Sequence, residues 1–142
     1  MSEHVGYDGV TAGTELPASS YPVTRLDLVK YCGASGDFNV IHWNERAARA
    51  VGLPDVVAHG MFTMAQAGRF VTDWAGPAAV VTEFGVKFTA PVIVPDDDAG
   101  GTVTIGGRVD EKLPGNLVVL SLTASSARAK VLTRARAVVR LP

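Results

Sequence analysis

The chain is predicted to fold as one α+β domain across residues 1–142, on three observations. Capping and stop signals punctuate the first sixty residues into short helices. A single long helix follows whose apolar residues occupy most of its circumference. Beyond residue 78 the hydrophobic period changes from helical to alternating and stays so to the end.

Residues 1–22 are rich in loop-forming types and read as loop, with little pattern beyond that. Thr24 is a natural N-cap for a short helix through Asp27, Leu28, Val29, Tyr31 and Cys32, and Gly33, Gly36 and Asp37 stop it. Asn44 can cap a second short helix, "ERAARAVG", ended by Gly52 and Pro54. From Gly60 to Ala75 the pattern fits a helix roughly 24 Å long, closed by Gly76-Pro77. Met61, Phe62, Met64, Ala65, Ala67, Gly68, Phe70, Val71 and Trp74 leave it little polar surface, so it is expected to be largely enclosed, and Ala65 and Gly68 would let another backbone approach.

Val80, Thr82, Phe84, Val86 and Phe88 then alternate with Val81, Glu83, Gly85, Lys87 and Thr89, predicting a strand with one core face. A second strand runs from Thr102 to Asp110. Pro114-Gly115 suits the centre of a type II turn, because Pro sets the first φ and Gly permits a positive φ next. Leu117–Ser125 makes a third strand. In the last, Ala129, Val131, Thr133, Ala135, Ala137, Val139 and Leu141 form one face, while Arg128, Lys130, Arg134, Arg136 and Arg140 dominate the other. Strands joined by short turns imply an antiparallel sheet. A curved sheet wrapped around one central helix, the hot-dog arrangement, satisfies both the helix and the one-sided strands.

Composition narrows the function classes. Apolar residues at 47% and charged residues at 19% describe an ordinary globular protein. Thirteen basic against fourteen acidic side chains give a formal net charge of −1, which argues against a general nucleic-acid binder. The first seventeen residues show no basic-then-apolar leader, and no uncharged apolar run reaches the ~18 residues needed to span a bilayer, so cytoplasmic residence is expected. Cys32, the single cysteine, stands among Leu28, Val29 and Tyr31 and reads as a buried, inert thiol.

Two short stretches concentrate chemistry. The first is "GDFNVIHW", with Asp37, Asn39 and His42. On an ideal helix Asp37 and His42 would point roughly 140° apart, so they converge only through an irregular segment, which Gly36, Asp37 and Asn39 allow. A carboxylate and an imidazole sharing one site form a proton-transfer pair. The same residues also suit a structural turn, with Asp37 closing an Asx turn, Asn39 capping and His42 satisfied in the core. The second stretch is Ala58-His59-Gly60-Met61. A glycine opening an apolar helix offers a backbone N–H at the positive end of the helix dipole, a donor for charge developing on a carbonyl oxygen. The plainer alternative is that Gly60 permits close packing and His59 caps the turn; His59 is not a catalytic candidate here.

Taken together, Asp37-Phe38-Asn39-Val40-Ile41-His42 and His59-Gly60-Met61 some twenty residues later resemble the D-x-N-P-[I/L]-H and H-G-M signatures of the MaoC-like (R)-specific enoyl hydratases and (3R)-hydroxyacyl dehydratases. "YPVTRLDLVKYCGASGDFNVIHW" and "TEFGVKFTAPVIVP" extend the likeness over residues 20–95, most of all toward the catalytic B subunits of the mycobacterial type of (3R)-hydroxyacyl-ACP dehydratase. Val40 departs from the signature proline, and Gly68 stands where many relatives carry a serine.

The resemblance implies a hydro-lyase that reversibly removes water from 3-hydroxyacyl thioesters on ACP or CoA, in type II fatty-acid or mycolic-acid elongation. Asp37 and His42 would hold the water and move the protons, the Gly60 amide would bind the thioester oxygen, and Asn39 would position the loop or the water. No metal and no cofactor are implied. A homodimer, or a heterodimer with another hot-dog subunit, is expected. Two other roles compete with this one. A non-catalytic hot-dog partner shaping the acyl tunnel has no need of Asp37, Asn39 and His42. A hot-dog thioesterase would want a carboxylate on the central helix, where only Asp73 stands near the far end. The basic face of the last strand is either a solvated surface paired with acids or a docking surface for an acidic carrier protein.

Overall fold

The computed structural model describes residues 5–142; the first four residues of the segment expected to be loop lie outside this range. Five strands form one antiparallel sheet: β1 (Glu15–Val23), β2 (Val80–Phe88), β3 (Gly101–Leu113), β4 (Leu117–Ser126) and β5 (Ala129–Arg140), in the order β1-β3-β4-β5-β2. Three α-helices, α1 (Arg25–Ser35), α2 (Glu45–Ala50) and α3 (Gly60–Ala75), lie between β1 and β2 in the chain. None of the helices is long and apolar enough to cross a membrane.

The core is the apolar face of the three inner strands, with Val103, Ile105, Val109, Val118, Leu120, Leu122, Val131, Ala135, Ala137 and Val139 buried, closed by α1 through Leu28 and by one side of α3. Thr63, Ala67, Phe70, Val71 and Ala75 fall at helical spacing on that side of α3. The opposite side carries Met61, Ala65, Arg69, Thr72 and Asp73, all exposed. The expected enclosure of this helix is therefore only half realised within one chain, because a single five-stranded sheet reaches one side of it.

β1 corrects the expectation of loop over residues 1–22. Its sequence, ELPASSYPV, shows no alternation, and only Leu16 and Val23 are buried. It is an edge strand, where Pro17 and Pro22 cost little, and its pairing with β3 supplies the order its own propensity lacks. At the other edge, β2 has the expected span but a shallow core face: Phe84 and Val86 are half-buried, whereas Val80, Val81 and Phe88 are exposed.

β5 departs from strict alternation. Arg134 adopts φ 46°, and the pairing registers to β2 and β4 shift on either side of it, a bulge that also turns Leu132 inward. Arg136 pairs with Glu83 of β2 at 2.7 Å, so part of the basic face is matched by an acid, while Arg128, Lys130, Arg134 and Arg140 are exposed. Gly115 takes the expected positive φ of 81°, followed by Asn116 at 59°.

The elements that position the polar motif follow the caps read from the sequence. Thr24 forms a capping box with Asp27 at the start of α1. Gly36 ends the helix at φ 75°, a left-handed cap that a side chain would disfavour. Asn44 accepts from the Ala47 N–H to start α2. Residues 56–58 then run extended between two segments. The Val57 N–H donates to Ile41 O, the Ala58 N–H to Val92 O, and the Val94 N–H to Val56 O. Arg25 fastens this layer, donating from Nε to Val94 O at 2.6 Å and from Nη2 to Asp55 at 2.5 Å.

Candidate active site

The loop after α1 is organised by its own side chains. The Asp37 carboxylate accepts the Asn39 N–H at 3.1 Å, and the Asn39 side chain accepts the Ile41 N–H at 3.3 Å, starting a 3₁₀ turn over Val40–His42. These two side-chain bonds set the turn with Val40 in the place of the signature proline. The turn brings Asp37 Oδ2 to 3.9 Å from His42 Nε2, the convergence that helical geometry forbids.

His42 is buried, and its Nδ1 lies 2.7 Å from Val57 O. A carbonyl can only accept, so Nδ1 carries the hydrogen and Nε2 presents its lone pair toward Asp37. Burial pushes the His42 pKa below the usual histidine value; the Val57 carbonyl opposes this, the nearby His59 adds to it, and Asp37 opposes it. Asp37 is half in solvent, with its side chain 54% exposed. Two acceptors at 3.9 Å, one buried and one open, suit a water molecule donating a hydrogen to each.

His42 opens onto a cavity of about 350 Å³ lined by Ile41, Val57, Gly60, Thr63, Phe88 and Leu132, among others, a mostly apolar wall. Gly60, the first residue of α3, stands on the same wall, with its N–H at the positive helix end. A Cβ at Gly60 would lie 3.1 Å from the Phe88 ring, so close packing is one role of this glycine. The structure thus brings Asp37, Asn39 and His42 together in one turn, and Gly60 shares a cavity wall with His42. Thr63 is the one polar side chain of the central helix buried against the cavity.

His59 is the residue that sequence reasoning passed over. Its ring is 2% exposed and stacks on His42 with centroids 3.7 Å apart and planes 20° apart. The signal was present: His59 follows Val56-Val57-Ala58, an apolar run that predicts burial of its neighbour. Cys32 is buried as expected, and burial, then the charge of Asp37, raises its pKa, consistent with an inert thiol.

Asp37, His42 and His59 place one ligand atom each within 4.8 Å of one another, close enough to consider a metal ion. The two imidazoles are nearly parallel, so their in-plane lone pairs run side by side and do not converge on one point. Each ring also has one nitrogen at hydrogen-bond distance from a backbone carbonyl. The trio suits proton transfer better than ligation.

Comparison with known proteins places the chain. The family model described as "MaoC like domain" matches residues 9–128. The 3-hydroxyacyl-thioester dehydratase X of Mycobacterium tuberculosis is 38% identical over 84 residues, 56% of this chain but 27% of that protein. The beta subunit of 3-oxo-4,17-pregnadiene-20-carboxyl-CoA hydratase from the same organism is 31% identical over 92 residues, 65% of this chain and 67% of that one. Among solved structures, a MaoC-like dehydratase superposes with a TM-score of 0.91 at 37% identity, covering 96% of this chain and 42% of that chain. The ChsH1–ChsH2 complex of M. tuberculosis gives 0.80 at 25% identity, over 93% of this chain and 98% of that one. The HadBC (3R)-hydroxyacyl-ACP dehydratase complex of M. tuberculosis, at 18% identity and a TM-score of 0.68, shares the fold over 90% of this chain and 96% of that one. The chain spans about a quarter of the length of dehydratase X and less than half of the MaoC-like dehydratase. It belongs to the MaoC-like family of hydratases and dehydratases and has the family's hot-dog fold.

Proposed function

We propose that the chain is a hydro-lyase for acyl thioesters, adding water across a 2-enoyl thioester or removing it from the (3R)-hydroxyacyl form. The observation that carries this reading is the pairing of Asp37 with His42 Nε2, two acceptors 3.9 Å apart, with His42 lining an apolar cavity that the Gly60 helix terminus also lines. In the hydration direction, water held between Asp37 and His42 forms its new C–O bond at C3 and releases a proton to one of them. The electron pair of the C2–C3 double bond moves toward the thioester carbonyl, where the Gly60 N–H stabilises the oxygen. C2 then takes a proton from the pair, so no redox equivalent is required.

The apolar wall suits the acyl chain, the 3-hydroxyacyl thioester class agrees with the name of one relative, and a second relative is named as the beta subunit of a carboxyl-CoA hydratase. The carrier is CoA or ACP. A role in fatty-acid or mycolic-acid elongation follows from the B-subunit resemblance alone. Residues 1–142 act as a single domain in this reading, and a second hot-dog subunit, like or unlike, joins the exposed side of α3 and the β2 edge, where Met61, Val80, Val81 and Phe88 leave apolar surface in water. A non-catalytic partner would share that surface but has no use for a paired Asp37 and His42.

Crotonyl-CoA tests the reading directly. The expected outcome is loss of the enoyl thioester absorbance without release of free thiol. Thiol release would indicate a thioesterase, and no change with CoA and ACP substrates alike would leave the partner role.

A further inference from the structure

We propose that His59 is a positioning residue of the proton-transfer pair, its buried ring holding the Asp37 backbone and the His42 imidazole in one fixed arrangement. The inference rests on the reading of Asp37 and His42 as that pair. His59 touches both halves at once. Its Nε2 lies 3.0 Å from the Asp37 carbonyl oxygen, and its face covers the His42 ring at 3.7 Å. The other flank is closed by Tyr31 of α1, edge-on at 4.7 Å, which itself meets Phe62 of α3 at 5.3 Å. His59 is therefore wedged between α1 and the 3₁₀ turn, and neither neighbour can shift without displacing it.

The hydrogen-bond inventory decides which atom does this. The Asp37 carbonyl only accepts, so His59 Nε2 carries a hydrogen and donates it. Cys32 Sγ, 3.6 Å from the same nitrogen, can then only be a second, weaker acceptor. His59 Nδ1 is buried without any hydrogen-bond partner among the described residues. A buried polar atom left unpaired is destabilising, and a leucine or phenylalanine would fill the space without that cost. A histidine here contributes what an apolar residue cannot: a donor to the Asp37 backbone beside a flat polar ring over His42. The arrangement fixes the 3.9 Å gap, and a misplacement of about 1 Å in such a pair costs on the order of 100-fold in rate.

The ionisable groups facing the two rings are Asp37 from the loop and Tyr31 and Cys32 from α1. From the 3₁₀ turn, the 56–58 segment and α3, the cavity brings Ile41, Val57, Ala58 and Thr63 against His42, and none of these titrates. The electrostatic effect of His59 on His42 lowers the pKa of the latter. Replacing His59 by leucine removes that push while burial remains, so the titration of His42 moves to higher pH.

The test uses the full chain labelled with ¹⁵N-histidine, read by ring NMR, alongside steady-state kinetics on an enoyl thioester. In H59L, His42 is expected to titrate at higher pH, with the Val57 carbonyl still holding its Nδ1–H tautomer. The kcat falls about 10- to 100-fold with KM within about twofold. H59Q, whose amide nitrogen can stand where Nε2 stood, recovers most of the lost kcat. A folded H59L with the His42 titration unchanged overturns the proposal, as does a kcat within about twofold of wild type. If H59L does not fold, H59F keeps the stack and drops only the donor, and the same readings decide. Wild-type protein that lacks hydratase activity would contradict the proposed function, and the NMR readings would still decide the role of His59.

Discussion

Two polar clusters lie within the same few turns of chain, and they are built on opposite principles. Around Arg25, charge meets charge and donor meets acceptor: Nε ends on Val94 O, Nη2 on Asp55 and, at 3.6 Å, on Glu45, while Asp55 also takes the Val56 N–H at 2.7 Å. Around Asp37, capacity is left open: His42 Nε2 and Asp37 Oδ2 stop at 3.9 Å, beyond a hydrogen bond, and His59 Nδ1 has no partner among the described residues. A cluster whose charges are paired holds the structure in place. One left partly unpaired, steadied by its paired neighbour, retains acceptors for a water and a substrate. The connection is physical, because Arg25 anchors Asp55 and Val94, and between them Val57 offers the carbonyl that orients His42.

Asp37→Asn and His42→Ala should separate the clusters most sharply. Each is expected to lower kcat by a factor in the range of ~100 to 10,000 while leaving thermal stability within a few degrees. A large loss of Tm in both would mean that the pair is architecture after all. Next in size is Gly60→Ala. Alanine favours the helix but sets its Cβ 3.1 Å from the Phe88 ring, on the cavity wall. The half-exposed Phe88 can swing aside, so the fold holds, and kcat is expected to drop about tenfold as the amide's surroundings shift. Unchanged kcat would detach Gly60 from the chemistry.

Arg25→Met reverses the pattern. Loss of charged hydrogen bonds should cost about 1.5–3 kcal/mol of stability, read by denaturant unfolding. Its effect on kcat should stay below about tenfold, because it acts only through Asp55 and Val57. The smallest effect is on pH dependence. The folded pKa of His42 lies below its unfolded value near ~6.5. As pH falls through ~6.5, the unfolded chain binds a proton before the native one does, so stability drops toward acid and is fully present above. A His42→Phe variant should flatten that limb in a series of melts between pH 7 and pH 5, and an unaltered limb would assign it to other groups.

Much of this contrast was legible in the sequence. Thr24, Gly36 and Asn44 announced the helix ends because capping is local chemistry, decided within four residues. The spacing of Asp37, Asn39 and His42 announced a site because only an irregular turn could join them. What escaped the sequence depends on distant partners. β1 is a strand because β3 lies beside it, and its prolines and serines give no sign of that. The bulge at Arg134 is imposed by fitting β5 between β2 and β4, so strict alternation misplaced Leu132. His59 lies seventeen residues from His42, and only the folding back of residues 56–58 stacks the two rings.

The central claim is that Asp37 and His42 act as one unit on the same water. A double-mutant cycle on kcat with an enoyl thioester substrate measures this most directly, comparing Asp37→Asn, His42→Ala and the two combined in folded protein. Residues that work as a unit are not additive. The double variant is therefore expected to be no more than about threefold slower than the worse single variant. A double variant whose loss is the product of the two single losses would mean that the residues act independently, and the account of the site would be wrong.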